Sequence, residues 1–219
     1  NPRAIVVLVS SFPYTINWAQ EHVPAILHMA HNSEEEGPAI ANALFGKYNP
    51  GGRLVVTWPK AMDQLPPLMD YNIRDGRTYM YFKGEPLYPF GYGLSYTKFK
   101  YSNLDVSSPT IKNDGQAMVS VEVKNEGGRA GDEVVQMYVS YPDSKVSRPR
   151  EQLVGFKRIH LEPGASQTVR LPLPAKRLAY WDEAAGHFVV EPGTVRVLIG
   201  SSSADIRLQK SVSVAKPQP

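Results

Sequence analysis

In Met118-Val-Ser-Val-Glu-Val-Lys124 apolar and polar residues alternate from Val119 onward, which sets Val119, Val121 and Val123 on one face of a strand and Met118, Ser120, Glu122 and Lys124 on the other. The same period of two returns at Val135, Met137 and Val139, at Val169, Leu171 and Leu173, and at Val195, Val197 and Ile199. Turn-forming clusters separate these runs: Asn113-Asp-Gly115, Asn125-Glu-Gly-Gly128, Glu162-Pro-Gly164 and Glu191-Pro-Gly193. From Phe99 onward the spacing predicts about seven short strands, each with one buried face, and therefore two sheets packed face to face.

Upstream the pattern is different. Ala4-Ile-Val-Val-Leu-Val9 has no polar alternation, as expected of a strand covered on both faces in a parallel sheet. Pro24–Ala30 reads as a second such strand, after a helical turn around Asn17–His22. Ser33 and Glu36 form a capping-box pair ahead of a helix with Ile40, Ala43 and Leu44 on one face and Gly46 as its stop, and Pro38 fits only within the first turn. Arg53–Trp58 is expected to be a further strand of this layer. Such a piece leaves a sheet face and its edges uncovered, and the chain opens directly on the first strand, so more of the layer is expected upstream. Residues 59–97 hold Pro59, Pro66, Pro67, Pro86 and Pro89 among many aromatics. They read as an ordered connector packed across another domain. The expected organisation is an α/β part with a partial, mostly parallel sheet at residues 1–70, a connector at 71–97, and an all-β sandwich of fibronectin type III or immunoglobulin-like architecture at 98–219.

Composition narrows the chemistry. The absence of cysteine excludes disulfides, zinc–thiolate sites and thiol nucleophiles, and leaves the compartment open. A net charge of +3, with 24 basic and 21 acidic residues interleaved, gives no footprint for nucleic acid. No run approaches the roughly 18–20 apolar residues of a membrane helix, so no membrane insertion is expected. No Gly-x-Ser-x-Gly elbow points to an esterase.

Two long segments resemble glycoside hydrolase family 3 β-glycosidases. Tyr48-Asn-Pro-Gly-Gly-Arg-Leu-Val-Val-Thr-Trp-Pro59, followed by Leu87-Tyr-Pro-Phe-Gly-Tyr-Gly-Leu-Ser-Tyr-Thr97, is similar to the end of their α/β sandwich domain. Val119–Val139 and Leu153-Val-Gly-Phe-Lys-Arg158 resemble the fibronectin-like domain that follows it in many of them. The resemblance implies a retaining, exo-acting hydrolase with an aspartate nucleophile on an N-terminal barrel and a carboxylic acid from the α/β domain, about 5–5.5 Å apart. Both lie before the stretch matched by Ala4–Val9, so no catalytic residue is assigned within the chain, which is expected to be inactive alone. The partners implied are the upstream polypeptide and a β-linked oligosaccharide. A second copy of the chain is the alternative cover for the exposed sheet, and a non-catalytic polysaccharide- or protein-binding module is the alternative function. The tract Asp75-Gly-Arg-Thr-Tyr-Met-Tyr-Phe-Lys-Gly-Glu85 resembles the β-xylosidase branch more than the β-glucosidase branch. Extracytoplasmic placement, secreted or periplasmic, is common among the enzymes resembled.

Five residues are candidate substrate contacts: His31, Glu34 and Glu35 in the loop after the second strand, and Arg77 and Tyr79 in the connector. Ligands of open α/β sheets gather beyond the carboxyl ends of the strands, and aromatic rings stack on sugars. Each has a plain structural alternative. Acidic residues favour a helix N-terminus, and connector aromatics pack between domains. His31-Asn-Ser-Glu-Glu-Glu-Gly37 also stands where an aromatic-Pro-Gly stretch is usual in the family resembled. His28 and His31 lack a third ligand at ordinary spacing, so no metal or other cofactor is expected. Trp181 reads as sandwich core, or as part of a tight turn before Gly186.

Overall fold

The computed structural model describes residues 1–31 and 34–216. Two parallel strands, β1 (Ile5–Val9) and β2 (Ala25–Met29), pair in register from Ile5 with Ala25 to Val9 with Met29, and the crossover carries α1 (Asn17–His22). The next helix, α2 (Glu36–Leu44), places Pro38 within its first turn. Its other end is a Schellman stop: Gly46 sits at φ +69°, its N–H reaches the Ala43 carbonyl at 3.0 Å, and Lys47 N–H reaches Asn42 at 2.8 Å. Ser33 of the expected capping box lies outside the described residues, and Glu35 is the residue at the N-cap. The apolar run of β1 is not covered as a buried strand would be, since Ile5 is 50% and Val7 37% exposed.

Arg53–Trp58 departs from expectation. It bends at Val55 and Val56 and does not join β1 and β2. Instead Leu54 N–H donates to Tyr92, Gly91 N–H returns to Leu54, and Trp58 forms an antiparallel bridge with Tyr88. The connector takes this backbone because Trp58, 2% exposed, is held there by the edges of His28 and Tyr88, whereas Val55 points to solvent. The connector otherwise holds only short helical turns, among them α3 (Thr78–Tyr81).

The sandwich is as expected. Strands β3 (Phe99–Val106), β5 (Gln116–Asn125) and β8 (Ser166–Pro174) form one sheet. The facing sheet runs β4 (Thr110–Ile111), β12 (Asp205–Val214), β11 (Gly193–Ser202), β6 (Gly131–Ser140), β7 (Gln152–Leu161). Val119 opposes Leu171 and Val121 opposes Val169 in the first sheet; Val139 opposes Val197 and Met137 opposes Ile199 in the second. All are buried in one core, each contributing roughly 1.5–3 kcal/mol by leaving water. A separate hairpin of β9 (Tyr180–Asp182) and β10 (His187–Val189) stands outside both sheets. Trp181 lies on it, 51% exposed, so it is not core: a two-stranded hairpin has no sheet above that face. The turn before Gly186 is present, with Gly186 at φ +68° donating to the Asp182 carbonyl.

Residues of the first part clasp the sandwich. Arg53 Nη2 meets Glu133 Oε2 at 2.8 Å, with both side chains almost fully buried, and Tyr101 Oη donates to the other carboxylate oxygen at 2.6 Å. Burial pushes the Glu133 carboxyl above its usual range against the opposing pull of Tyr101 and Arg53, and it pushes the Tyr101 hydroxyl up as well. Asn49 accepts from Tyr96 N–H at 2.8 Å and donates to the Ala130 carbonyl at 3.1 Å. At the same end Asn125 accepts from Thr97 Oγ1 at 2.6 Å and from Gly127 N–H, and donates to the Arg129 and Leu161 carbonyls at 2.7 and 2.9 Å. Between Val135 and Val139, β6 is buried on both faces: Gln136 and Tyr138 turn away from the core and meet the connector. Gln136 Nε2 donates to the Gly91 carbonyl, and a Cβ on Gly91, already at φ +80°, would lie 2.2 Å from Gln136 Oε1. Only glycine fits there.

Candidate functional site

The ladder of β1 and β2 is extended by Ser10 N–H, which donates to the Met29 carbonyl at 2.9 Å. Ser10 is buried, and its hydroxyl donates to the Phe12 carbonyl at 2.7 Å, folding the outgoing loop back on itself. His28 Nε2 reaches the Ser10 carbonyl at 3.0 Å. One residue further on, Ser11 Oγ and His31 Nδ1 are 3.0 Å apart, so the loops leaving both strands are joined at their carboxyl ends. The crevice expected of an open α/β layer begins here.

His31, Glu34 and Glu35 all belong to this edge and are exposed. Glu34 and Glu35 lead into α2, where negative charge is favoured. Among the described residues neither carboxylate has a hydrogen-bond partner within the chain. Phe12 (72% exposed) and Tyr14 (51%) lie in the loop after β1, and Trp18 (68%) follows in α1. The edge therefore offers carboxylate acceptors, an imidazole and aromatic faces, a set suited to sugar hydroxyls and to the apolar face of a ring. Phe12, Tyr14 and Trp18 belong to no motif of the sequence. Their signal is position, since apolar residues directly after a strand end have no sheet to enter.

Arg77 and Tyr79 lie elsewhere. Arg77 Nε and Nη2 donate to the Asp70 and Pro67 carbonyls at 2.6 and 2.7 Å, closing the connector loop on itself. Tyr79 Oη accepts from Leu153 N–H at 2.9 Å, and its ring stacks on Phe90 at 4.3 Å and meets the edge of Tyr138. Burial pushes the Tyr79 hydroxyl up. Between them Thr78 sits at φ +61°, a left-handed conformation that a β-branched residue adopts only under constraint. The constraint is visible: Arg150 N–H donates to the Met80 carbonyl at 2.9 Å and Arg150 Nη1 to Phe82 at 2.6 Å, fastening α3 to the start of β7.

Glu151 follows Arg150 and is pushed up to about 7 by burial, with the charge of Arg150 opposing. Its folded pKa thus lies above its ordinary value of 4.5, and the folded protein binds that proton more readily than the unfolded chain. The resulting stabilisation is full below pH about 4.5 and is lost as pH rises through about 7. Glu151→Gln is therefore expected to match wild type at pH 5 and to exceed it at pH 8 by on the order of 1 kcal/mol, a value reduced for solvent screening. Urea midpoints at the two pH values check this, and a variant less stable than wild type at pH 8 would contradict it.

Among the described residues no group of three or more His, Asp or Glu is placed to hold a metal, and no helix is long and apolar enough to cross a membrane.

Residues 1–96 match the profile of the Glycosyl hydrolase family 3 C-terminal domain, and residues 133–203 match the Fibronectin type III-like domain. The chain is 39% identical over 215 residues to a periplasmic beta-glucosidase of Salmonella typhimurium, covering 93% of this chain and 28% of that protein. It is 40% identical over 203 residues to a beta-xylosidase of Formosa agariphila, covering 91% of this chain and 28% of that protein. Its backbone is similar to the crystal structure of a beta-glucosidase from Kluyveromyces marxianus in complex with glucose, with a TM-score of 0.90, 36% identity, and coverage of 99% of this chain and 27% of that one. The chain thus spans little more than a quarter of the length of these relatives.

Proposed function

Because this chain belongs to glycosyl hydrolase family 3, carrying the end of its C-terminal domain and its fibronectin type III-like domain, we propose that it is the C-terminal portion of a retaining, exo-acting β-glycosidase. The enzyme removes terminal, non-reducing β-linked sugars, β-xylosides first and β-glucosides second. The observation that supports this most is the unfinished α/β layer. The β1–β2 pair exposes Ile5 and Val7 where a parallel sheet requires cover, and upstream polypeptide of the same enzyme supplies that cover together with the two catalytic carboxyl groups. In this reading residues 1–70 close the α/β domain, 71–97 connect, and 98–219 form the sandwich.

The chain by itself has no catalytic pair and is inactive. Its contribution to the sugar site is the carboxyl edge of β1 and β2, where His31, Glu34 and Glu35 accept from hydroxyls. Arg77 and Tyr79 hold the connector in place behind it. Resemblance of the Asp75–Glu85 tract supports the xyloside preference, while similarity to a beta-xylosidase and to beta-glucosidases keeps both sugars in view. A relative described as periplasmic supports work outside the cytoplasm.

Release of nitrophenol from β-xyloside and β-glucoside tests the proposal. The purified 219-residue chain is expected to give no turnover, and the full-length polypeptide containing it to be active. In the full-length protein, Glu34→Gln and Glu35→Gln are expected to raise KM with little change in kcat, as loss of ground-state binding does. Turnover by the isolated chain would move the catalytic carboxylates into it, and unchanged kinetics in both variants would remove this edge from the sugar site.

A further inference from the structure

We propose that the sandwich carries a saccharide-binding groove of its own, lined by Phe188, against which the Trp181 ring packs from outside the lining, and by Asn113, Asp114, Gln116 and Lys176. The groove is shallow and open to solvent, with a volume of about 560 Å³. It runs between the turn that precedes β5 and the segment leading through Ala179 into the β9–β10 hairpin. Asn125, in the clasp, is at the other end of β5, so a ten-residue strand, roughly 30 Å, separates the groove from that clasp.

The aromatic wall is built and rigid. Trp181 and Phe188 are directly opposed across the hairpin, which puts both on one face, with their rings edge to face at 5.3 Å. They are 51% and 68% exposed. Two adjacent aromatic faces left open to water are available to stack on a ligand. The hairpin bearing them is fixed from within: Asp182 Oδ1 accepts from Ala184 and Ala185 N–H at 3.0 and 3.1 Å, and its other oxygen accepts from Tyr180 Oη at 3.2 Å. On the opposite face Tyr180 lies under the Arg148 guanidinium, 5.2 Å away. The platform is therefore preorganised, and binding to it does not require a loop to be ordered.

The polar wall identifies the ligand class. It holds one carboxylate, one ammonium and two amides, so its charges sum to zero and it favours neither a polyanion nor a cation. Among the described residues Asp114 and Lys176 are in no ion pair, and Asn113 Oδ1, shielded from solvent, has no donor partner. A neutral ligand with one apolar face and a rim of hydroxyl groups satisfies both walls, and a pyranose ring has that form. That the sugars are β-linked rests on the proposed function, in which the enzyme acts at the ends of such chains. The groove then holds a polymer or long oligomer that the enzyme is trimming.

Depletion from solution by insoluble xylan and by insoluble β-glucan tests this, using the full-length polypeptide and its Trp181→Ala/Phe188→Ala variant. Wild type is expected to bind at least one polymer, and the variant to bind it about tenfold more weakly, at unchanged kcat/KM on nitrophenyl glycosides. Should the double variant unfold, Gln116→Ala on the other wall replaces it, with binding expected to weaken several-fold at an unchanged melting temperature. Equal depletion of wild type and variant, or none by wild type, overturns the groove. So does a change of sedimentation coefficient in the variant without loss of polymer binding, which would assign the aromatic wall to a protein contact. Failure of wild type to hydrolyse either nitrophenyl glycoside would instead sink the proposed function, while polymer binding that responded to Trp181→Ala/Phe188→Ala would leave the groove standing.

Discussion

Replacing Arg53 by alanine is expected to destabilise the protein by about 3–5 kcal/mol, because Glu133 would remain buried with its counter-charge gone. The remaining supports of that carboxylate are weaker: the Tyr101 hydroxyl at 2.6 Å is a neutral donor, and the charge of Arg207 acts without a hydrogen bond to Glu133 and is already paired with Asp205. Glu133→Gln should be milder, since an amide has no charge to desolvate. The double variant Arg53→Ala/Glu133→Gln should lose clearly less than the sum of its singles, because the isolated charge that penalises the arginine variant is absent. Denaturant unfolding of the four proteins gives the coupling directly, and strict additivity would refute it. The deficit of Arg53→Ala also has a predictable pH course. The folded pKa of Glu133 is raised by burial, so the variant recovers stability as pH falls and the carboxyl takes up a proton, and it is weakest in alkali.

Asn125→Ala is expected to lose about 3 kcal/mol although it removes no apolar contact of note, since each buried partner left unpaired costs about 1–3 kcal/mol and water can reach only some of them. The side chain is fully buried and uses both ends: its oxygen accepts from Thr97 and Gly127, and its nitrogen donates to Arg129 and Leu161. Asn125→Asp separates the two ends. It keeps the acceptor, forfeits both donations, and sets a carboxylate against two carbonyls, so it should be at least as damaging as alanine. Thr97→Val removes one of these bonds and should cost about 1 kcal/mol. Thermal unfolding ranks the three, and an aspartate variant as stable as wild type would show that the donations to Arg129 and Leu161 contribute little.

What the sequence disclosed follows from where each residue's partners lie. Strands β5 and β8 bury one face each, and a buried face is written into the chain as a period of two. Gly46 was legible because a Schellman stop involves neighbours within five residues. Arg53–Trp58 was misread because its apolar run resembles a buried strand, while the backbone that claims it, Tyr88–Tyr92, comes some thirty residues later and leaves Val55 in solvent. For Trp181 the sequence leaves core and the turn before Gly186 both open, because size and apolarity do not reveal whether a second layer exists above a hairpin. In the site, the position of His31 and the acidic entry to α2 were legible as a loop after a strand. The Ser11–His31 contact that joins two loops was not, since nothing distinguishes that serine until the parallel register of β1 and β2 is known.

The order of strands in the larger sheet bears on how the protein is made. Asp205–Val214, encoded after every other strand described, lies between β4 and β11 and not at an edge, with Ser213 and Val214 paired to Thr110 and Ile111. During synthesis β4 must wait for the ribosome to deliver roughly a hundred further residues before it finds a partner, and the core beneath it stays open for that interval. The α/β end, exposed meanwhile, cannot be clasped until Glu133 and Gln136 are seated in their sheet. The larger sheet is therefore completed only when β12 is in place, and the clasp on the α/β end follows the sandwich in the order of assembly.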